Sequence, residues 1–277
     1  TDIKSGKKIE PILKLETLYE NCTHHDDEIT KQFYQKSFHT DFDKHYKLIS
    51  ILGSGSIGQV YKIQENKTNK LFVMKVIHPN IREDIINFQK MYHFFNFILP
   101  LIPCLTNYLE QLPFNFKDFI LDFKQQTDLI NESNNMLRFY HYFETNSFII
   151  IPKLYQCSTD IMIMSYEEGL YIDDLIKLED NYLKYTISML YYLFVNNNEQ
   201  AYHFNHGDLH KGNWRYRMVD NKPRLVIYDF GFCFTIPEEN RYVVELIIDT
   251  FEKTDEIYDD KIITELITIT KEILIGY

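Results

Sequence analysis

Between Tyr46 and Pro79 short runs rich in apolar residues are separated by turn residues, "YKLISILGSGSIGQVYKIQENKTNKLFVMKVIHP". The runs predict three strands, "KLISIL", "QVYKIQ" and "LFVMKVI". Glycines join the first pair and the turn "NKTNK" joins the second. From Asn80 to Thr145 the pattern turns helical. Its clearest piece, "FKDFILDFKQQTDLINESNNMLRFYHYF", has apolar residues at Phe116, Phe119, Ile120, Phe123, Ile130, Leu137 and Tyr140. That spacing predicts one long helix. "SFIIIPKLYQC" and "DIMIMSY" read as further strands, "EEGLYIDDLI" opens a helical region, and "YTISMLYYLFV" reads as a buried helix within it. Residues 1–45 are polar and helical, with caps at Thr23 and at Asp26 and Asp27.

Strands followed by helices predict an α+β chain in two lobes, with a polar link near Ser165 to Gly169 and a ligand cleft between the lobes. The expected organisation is an N-terminal helical extension over 1–45, a small β-sheet N-lobe over 46–165 with a helical insert at about 80–145, and a mostly helical C-lobe over 166–277.

Composition acts here by exclusion. With 45% hydrophobic and 25% charged residues the chain can bury a core. A net charge of −11 argues against a nucleic-acid partner, because phosphate recognition rewards Lys and Arg. Cys22, Cys104, Cys157 and Cys233 form no C-x-x-C pair, which fits a reducing intracellular compartment, cytoplasmic or mitochondrial. No run reaches the roughly 18–20 apolar residues of a membrane span. The nearest, "FFNFILPLIPCL", is broken by Pro100 and Pro103 and is expected to be a buried turn between helices, with peripheral membrane contact as the alternative. No obligate protein partner is inferred.

The glycine turn, Gly53-Ser54-Gly55-Ser56-Ile57-Gly58-Gln59-Val60, is a complete G-x-G-x-x-G-x-V. Alone, such a turn is equally a flexible hairpin. Flanked by strands on both sides, it has the form in which backbone N–H groups close over nucleotide phosphates; the dinucleotide form needs a strand-to-helix crossing. A lid over phosphates needs a cation, and Lys75 follows on the third strand. Asp128 and Glu132 lie four apart on the long helix, where like charges repel by roughly 0.2–0.5 kcal/mol. A cation beside them relieves this, and Glu132 is the expected partner of Lys75.

In "NHGDLHKGNW", Asp208 and Asn213 have D-x-x-x-x-N spacing, and Asp229-Phe230-Gly231 follows an apolar run further on. Asn213 and Asp229 offer hard oxygens suited to Mg²⁺, and Asp208 is placed to accept or orient the proton of an attacking hydroxyl or water. The rival is a zinc or iron site from His203, His206 and His210, which requires all three to converge and finds no cysteine at zinc spacing. His206 is expected instead to brace the loop through hydrogen bonds, with His210 packing near the metal side.

Together, "SIGQVYK", "MKVIHPNIRE", "TDLINESN", "NHGDLHKGN" and "YDFGF" resemble the UbiB/ADCK family of atypical kinases, over roughly residues 15–255. The resemblance implies a two-lobed protein kinase-like fold with ATP and Mg²⁺ as cofactors. It places Gly53, Ser54, Gly55, Ser56, Ile57, Gly58 and Val60 around the nucleotide, Lys75 on its phosphates and Glu132 on Lys75. Asn213 and Asp229 then hold metal, and Asp208 is the catalytic aspartate. By analogy the family also points to isoprenoid quinone (coenzyme Q) metabolism. Three departures stand out. The family's alanine-rich nucleotide loop is replaced by Gly53, Ser54 and Gly55. Its E-x-D pair appears as Gln126-Thr127-Asp128, and its K-x-G-Q motif has only a degraded echo in Lys4-Ser5-Gly6-Lys7. In the family that lysine is held to the E-x-D glutamate over the substrate side, so loss of both partners is consistent with absence of the lock.

The expected activity is that of a Mg-dependent ATP-binding phosphotransferase or ATPase. Residues 232–277 hold no A-P-E motif and leave little room for a peptide-docking lobe, so a small-molecule or lipid acceptor is expected rather than a protein. One alternative is an aminoglycoside- or choline-type small-molecule kinase, whose cationic acceptor needs an acidic pocket such as Glu167, Asp173 and Asp174 would form. Another is a nucleotide-dependent, non-catalytic scaffold.

Overall fold

The runs "QVYKIQ" and "LFVMKVI" fold as strands because every second side chain has a core to enter. A computed structural model describes residues 24–98, 116–200, 203–235 and 238. It begins with helices α1 (Asp27–Phe38) and α2 (Phe42–His45), strands β1 (Tyr46–Ser54), β2 (Gly58–Glu65) and β3 (Leu71–Ile77), and helix α3 (Ile81–Ile98). Helices α4 (Phe116–Gln126) and α5 (Leu129–Phe143) follow, then strands β4 (Ile149–Ile150), β5 (Leu154–Cys157) and β6 (Ile161–Ser165). The remainder comprises helices α6 (Ile172–Lys177) and α7 (Asn181–Gln200) and strands β7 (Asn205–His206), β8 (Trp214–Val219), β9 (Lys222–Ile227) and β10 (Cys233–Phe234). The chain divides into two units, Thr1–Ser133 with Leu154–Tyr166, and Asn134–Lys153 with Glu167–Tyr277.

The first unit is built on a five-stranded antiparallel sheet of order β1-β2-β3-β6-β5. Phe72, Met74 and Val76 of β3 are buried with Tyr61 and Ile63 of β2, in one cluster with Tyr34 of α1 and Phe42 of α2. Side chains alternate across a strand, so Val73 and Lys75 project from the other face. Val60 and Met162 stand directly beside Lys75 in the register and share that face. The cap of α1 is Asp26, whose carboxylate accepts from the Glu28 N–H. Thr23 lies outside the described residues.

The run expected as one long helix is two. Gln126 ends α4 and Leu129 starts α5. At the break, buried Thr127 turns its hydroxyl back to the Lys124 carbonyl at 2.7 Å, and the Asp128 carboxylate accepts from the Ile130 N–H at 3.0 Å. Short polar side chains that satisfy nearby backbone groups compete with helical continuity and favour caps. Asp128 therefore sits at a helix start, and its expected repulsion with Glu132 along one helix face does not apply. Glu132 instead lies in the first turn of α5, where the helix dipole favours a carboxylate.

"SFIIIPKLYQC" also splits, either side of Pro152 and Lys153. Proline offers no N–H to a ladder. Strand β4 runs parallel to β9 in the second unit, whereas β5 pairs with β6 in the first. In the second unit β8 and β9 form a hairpin across Asp220 and Asn221, both at positive φ (51° and 60°), as a two-residue turn of matching twist requires. Phe139 of α5 is fully buried there against Phe194 of α7, Phe204 and Phe230. Helix α7 contains the run expected as a buried helix, but it is two-sided: Ile187, Leu190 and Phe194 are buried, while Leu193 and Val195 are exposed. Among the described residues no helix is long and apolar enough to cross a membrane. Part of "FFNFILPLIPCL", including both prolines, lies outside the described residues.

Candidate functional site

In the first unit the glycine turn joins β1 to β2, closed by a hydrogen bond from the Gly55 N–H to the Gly58 carbonyl at 3.0 Å. The three glycines differ in what they need. A Cβ at Gly53 or Gly55 would meet no atom within 4 Å, whereas one at Gly58 would stand 2.5 Å from the Val76 carbonyl oxygen. Gly58 is thus glycine because β3 passes close by; Gly53 and Gly55 are exposed and keep the turn's backbone uncovered. Ser56 and Ile57 are half-buried, and Val60 lies beside Lys75 in register. Ser54 is buried, with its hydroxyl 3.4 Å from Nε2 of His78.

Lys75 and Glu132 meet. The ammonium donates to both carboxylate oxygens, at 2.9 and 2.8 Å, and the two side chains are 12% and 2% exposed. A two-pronged, nearly dry ion pair has no solvent to fall back on, so each partner fixes the other. The helix break aims Glu132, and sequence reasoning missed what holds that break. Arg82, at the start of α3, donates to the Thr127 carbonyl at 2.7 Å and the Thr159 carbonyl at 2.8 Å and pairs with Asp160. The Leu129 N–H also reaches the Thr159 carbonyl, at 3.2 Å. Only the fold brings these residues together, so no local pattern in "NIRED" marks Arg82.

In the second unit the loop after β7 and the segment after β9 are stitched together. The Tyr228 N–H donates to the Asn213 carbonyl at 2.8 Å, the Gly207 N–H to the Phe232 carbonyl at 2.8 Å, and Cys233 pairs with His206. Nε2–H of His206 donates to the Tyr228 carbonyl at 2.9 Å, and its Nδ1 accepts from the Asp208 N–H at 3.3 Å. Both ring nitrogens are thereby committed to backbone. Burial pushes the imidazole below its ordinary pKa, against the opposing pull of the Tyr228 carbonyl, Asp229 and Asp208. It is a neutral brace. Asn135 of α5, another residue the sequence did not mark, donates from its amide to the Phe230 carbonyl at 2.9 Å.

The Asn213 amide nitrogen donates to the Asp208 carbonyl at 2.8 Å, with the Asp208 carboxylate 3.5 Å away. This fixes the amide's orientation and leaves its oxygen for a cation. Asp229 follows on a left-handed backbone, φ 54°, which aspartate tolerates better than most residues. Its carboxylate accepts from the Gly231 N–H at 3.3 Å while Phe230 is buried. Asn213 and Asp229 thus give two hard oxygen donors on hydrogen-bonded segments, a set suited to Mg²⁺. Nε2 of His210 is 3.7 Å from Asp208, and its Nδ1 accepts from the Gly212 N–H at 3.0 Å. Among the described residues no three His, Cys, Asp or Glu side chains group as metal ligands. The carboxylates considered for a cationic acceptor each face a cation of the chain: Glu167 faces Arg217 at 3.0 Å, and Asp173 faces Lys211 and Asp174 faces Lys177, both at 3.4 Å. Lys4 to Lys7 lie outside the described residues.

Comparison with known proteins adds to this geometry. The family model described as ABC1 atypical kinase-like domain matches residues 17–259. The chain is 30% identical over 223 residues to "Probable serine/threonine-protein kinase abkC" of Dictyostelium discoideum, covering 76% of this chain and 31% of that protein. It is 26% identical over 223 residues to "Probable protein kinase UbiB" of Cronobacter sakazakii, covering 77% and 39%. The chain therefore spans only 31% and 39% of the length of these relatives. Among solved structures, the complex of Rv3197 with erythromycin from Mycobacterium tuberculosis matches with a TM-score of 0.63 and 17% identity, over 95% of this chain and 70% of that one. The α+β fold is protein kinase-like.

Proposed function

Because the chain belongs to the ABC1 atypical kinase-like family, with UbiB kinases among its relatives, we propose that it binds ATP with Mg²⁺ and acts as a phosphotransferase or ATPase. The observation that carries this reading is the two-pronged contact between Lys75 and Glu132. A lysine held by a buried carboxylate stays charged and aimed, as a phosphate clamp requires.

Each residue then has a task. The turn left uncovered at Gly53 and Gly55 closes over phosphate oxygens through backbone N–H groups other than that of Gly55, which the turn itself uses, and Lys75 neutralises them. Asn213 and Asp229 would hold Mg²⁺, which when bound supplies charge neutralisation to the phosphates. Asp208 accepts or orients the proton of the incoming hydroxyl or water; its backbone carbonyl, bonded to the Asn213 amide, keeps the loop in register. Phosphoryl transfer asks the protein mainly for position and charge, and these groups offer both. The proposed acceptor is a small molecule or lipid, and hydrolysis coupled to a partner is the form the reaction takes without one.

The test is thermal unfolding with ATP and Mg²⁺, beside ADP and metal-free controls. Specific binding raises the unfolding temperature with ATP concentration, and Lys75→Met abolishes the rise. No ATP-dependent shift in the folded wild-type protein overturns the reading. ATP binding without any phosphate release or transfer favours the non-catalytic scaffold instead.

A further inference from the structure

The residue that follows β3, His78, touches the glycine turn twice. Its backbone N–H donates to the Ile57 carbonyl at 2.9 Å, and its Nε2 lies 2.9 Å from the Gly55 carbonyl oxygen. A carbonyl can only accept, so Nε2 carries the proton. In a neutral ring Nδ1 then has a lone pair, and it lies 2.8 Å from Nδ1 of His25. His25 must therefore be the opposite tautomer, protonated on Nδ1, with Nε2 accepting from the Thr30 hydroxyl at 2.8 Å.

The same logic extends inwards, where the Asp27 carboxylate also stands beside the Tyr61 hydroxyl. Thr30 lies 2.9 Å from the Tyr61 hydroxyl, which accepts from the Gln59 amide at 2.6 Å. The Gln59 amide oxygen accepts from the His25 backbone N–H at 3.0 Å, which fixes which way that amide faces. Every donor points one way, from Gln59 through Tyr61, Thr30, His25 and His78 to the Gly55 carbonyl. Gln59 and Thr30 are fully buried and Tyr61 nearly so, so the chain runs out of the core to the tip of the turn.

We infer that His78 is a positioning residue of the phosphate-binding turn, and that His25 anchors it there. The inference rests on the nucleotide reading of that turn. Among the described residues no peptide bond is cis, and a trans peptide sets its C=O opposite the following N–H. Holding the Gly55 carbonyl on His78 therefore turns the Ser56 N–H to the far side, as a donor for an anion. The segment ahead of α1 thus sets the geometry of a loop some thirty residues downstream. Burial, then neighbouring His78, lowers the His25 pKa to about 4 against Asp27 and Asp26, which agrees with a neutral His25 ring.

Long-range proton–nitrogen correlation spectra of protein carrying isotope-labelled histidine read each tautomer directly, with or without nucleotide. Near neutral pH, His25 is expected protonated on Nδ1 and His78 on Nε2; any other pairing overturns the inference. In ATP titrations, His78→Phe is expected to bind about three- to tenfold more weakly, while His78→Gln, which keeps an amide donor for the Gly55 carbonyl, stays within about twofold of wild type. Equal affinities for the Phe and Gln variants also overturn it. If His78→Phe fails to fold, His25→Phe serves: the His78 tautomer is expected to lose its uniqueness, and an unchanged signal counts against the coupling. A wild-type protein that binds no ATP defeats the nucleotide reading, while the spectra still test the pinned turn.

Discussion

The Lys75 ammonium is gripped by both carboxylate oxygens of Glu132, in a setting where neither side chain has more than slight access to water. Deleting one partner strands the other charge. Lys75→Met is therefore expected to cost about 3–5 kcal/mol of stability, and the double replacement of Lys75 by Met and Glu132 by Leu much less. Denaturant unfolding of the wild type, Lys75→Met, Glu132→Leu and the double variant, analysed as a double-mutant cycle, measures this. Both variants that lack Lys75 lose the ATP-dependent shift, whatever their stability.

The glycines separate stability from ligand binding. Gly58→Ala forces a Cβ against the Val76 carbonyl and is expected to destabilise the protein by about 1–3 kcal/mol. Gly53→Ala and Gly55→Ala meet open space and should change stability by no more than about 0.5 kcal/mol. Any loss they show in ATP titrations is then a direct effect on the turn. Thermal unfolding alongside titration distinguishes the two kinds of glycine.

Asp208 and Asp229 should fail differently. Asp229→Asn keeps a residue that accepts the left-handed backbone, so the fold survives while the Mg²⁺-dependent part of ATP binding falls. Asp208→Asn leaves binding nearly intact and is expected to lower any turnover by about 10²–10⁴. Binding measured with and without Mg²⁺, next to phosphate release, tells them apart.

Stability should fall in mild acid through His25. Its folded-state pKa is lowered from 6.5 to about 4, mainly by burial. A group held neutral in this way contributes stability that is fully present above pH 6.5. That contribution is lost as the pH falls towards 4, because the unfolded chain takes up a proton the folded chain refuses. The difference in unfolding temperature between wild type and His25→Asn is expected to narrow across that window. A gap that stays constant with pH would place the effect elsewhere.

Gly212→Ala is expected to displace the His210 ring, since a Cβ there would lie 2.5 Å from its Cε1. The sign is a weakened contact with Asp208, visible as a changed His210 ring signal in a protein of near-normal stability.

Much of the fold was legible because β1 to β3 are apolar-rich runs that lie close together in sequence, with turn residues between them. Lys75 was legible for a related reason, as a charge set within an apolar strand. Glu132 was reached for the wrong physical reason: the spacing of Asp128 and Glu132 suggested a shared helix face, whereas Thr127 and Asp128 end one helix and cap the next. Periodicity runs through such a break unnoticed because α4 and α5 keep similar apolar spacing on either side. Arg82, Asn135 and His25 were invisible because each acts on a group far away in sequence. His206 was legible as a brace, because the rival metal site needed three histidines to converge and no cysteine stood at zinc spacing.

The split of "SFIIIPKLYQC" into β4 and β5 has a consequence for how the protein is made. Neither unit is an unbroken length of chain: residues 134–153 belong with what comes after Tyr166, and residues 154–166 with what came before. On the ribosome, β4 has no partner until β9 has been synthesised. A single cut therefore cannot separate the two units with both complete: one after Ser133 leaves residues 154–166 with the second unit, and one after Tyr166 leaves residues 134–153 with the first.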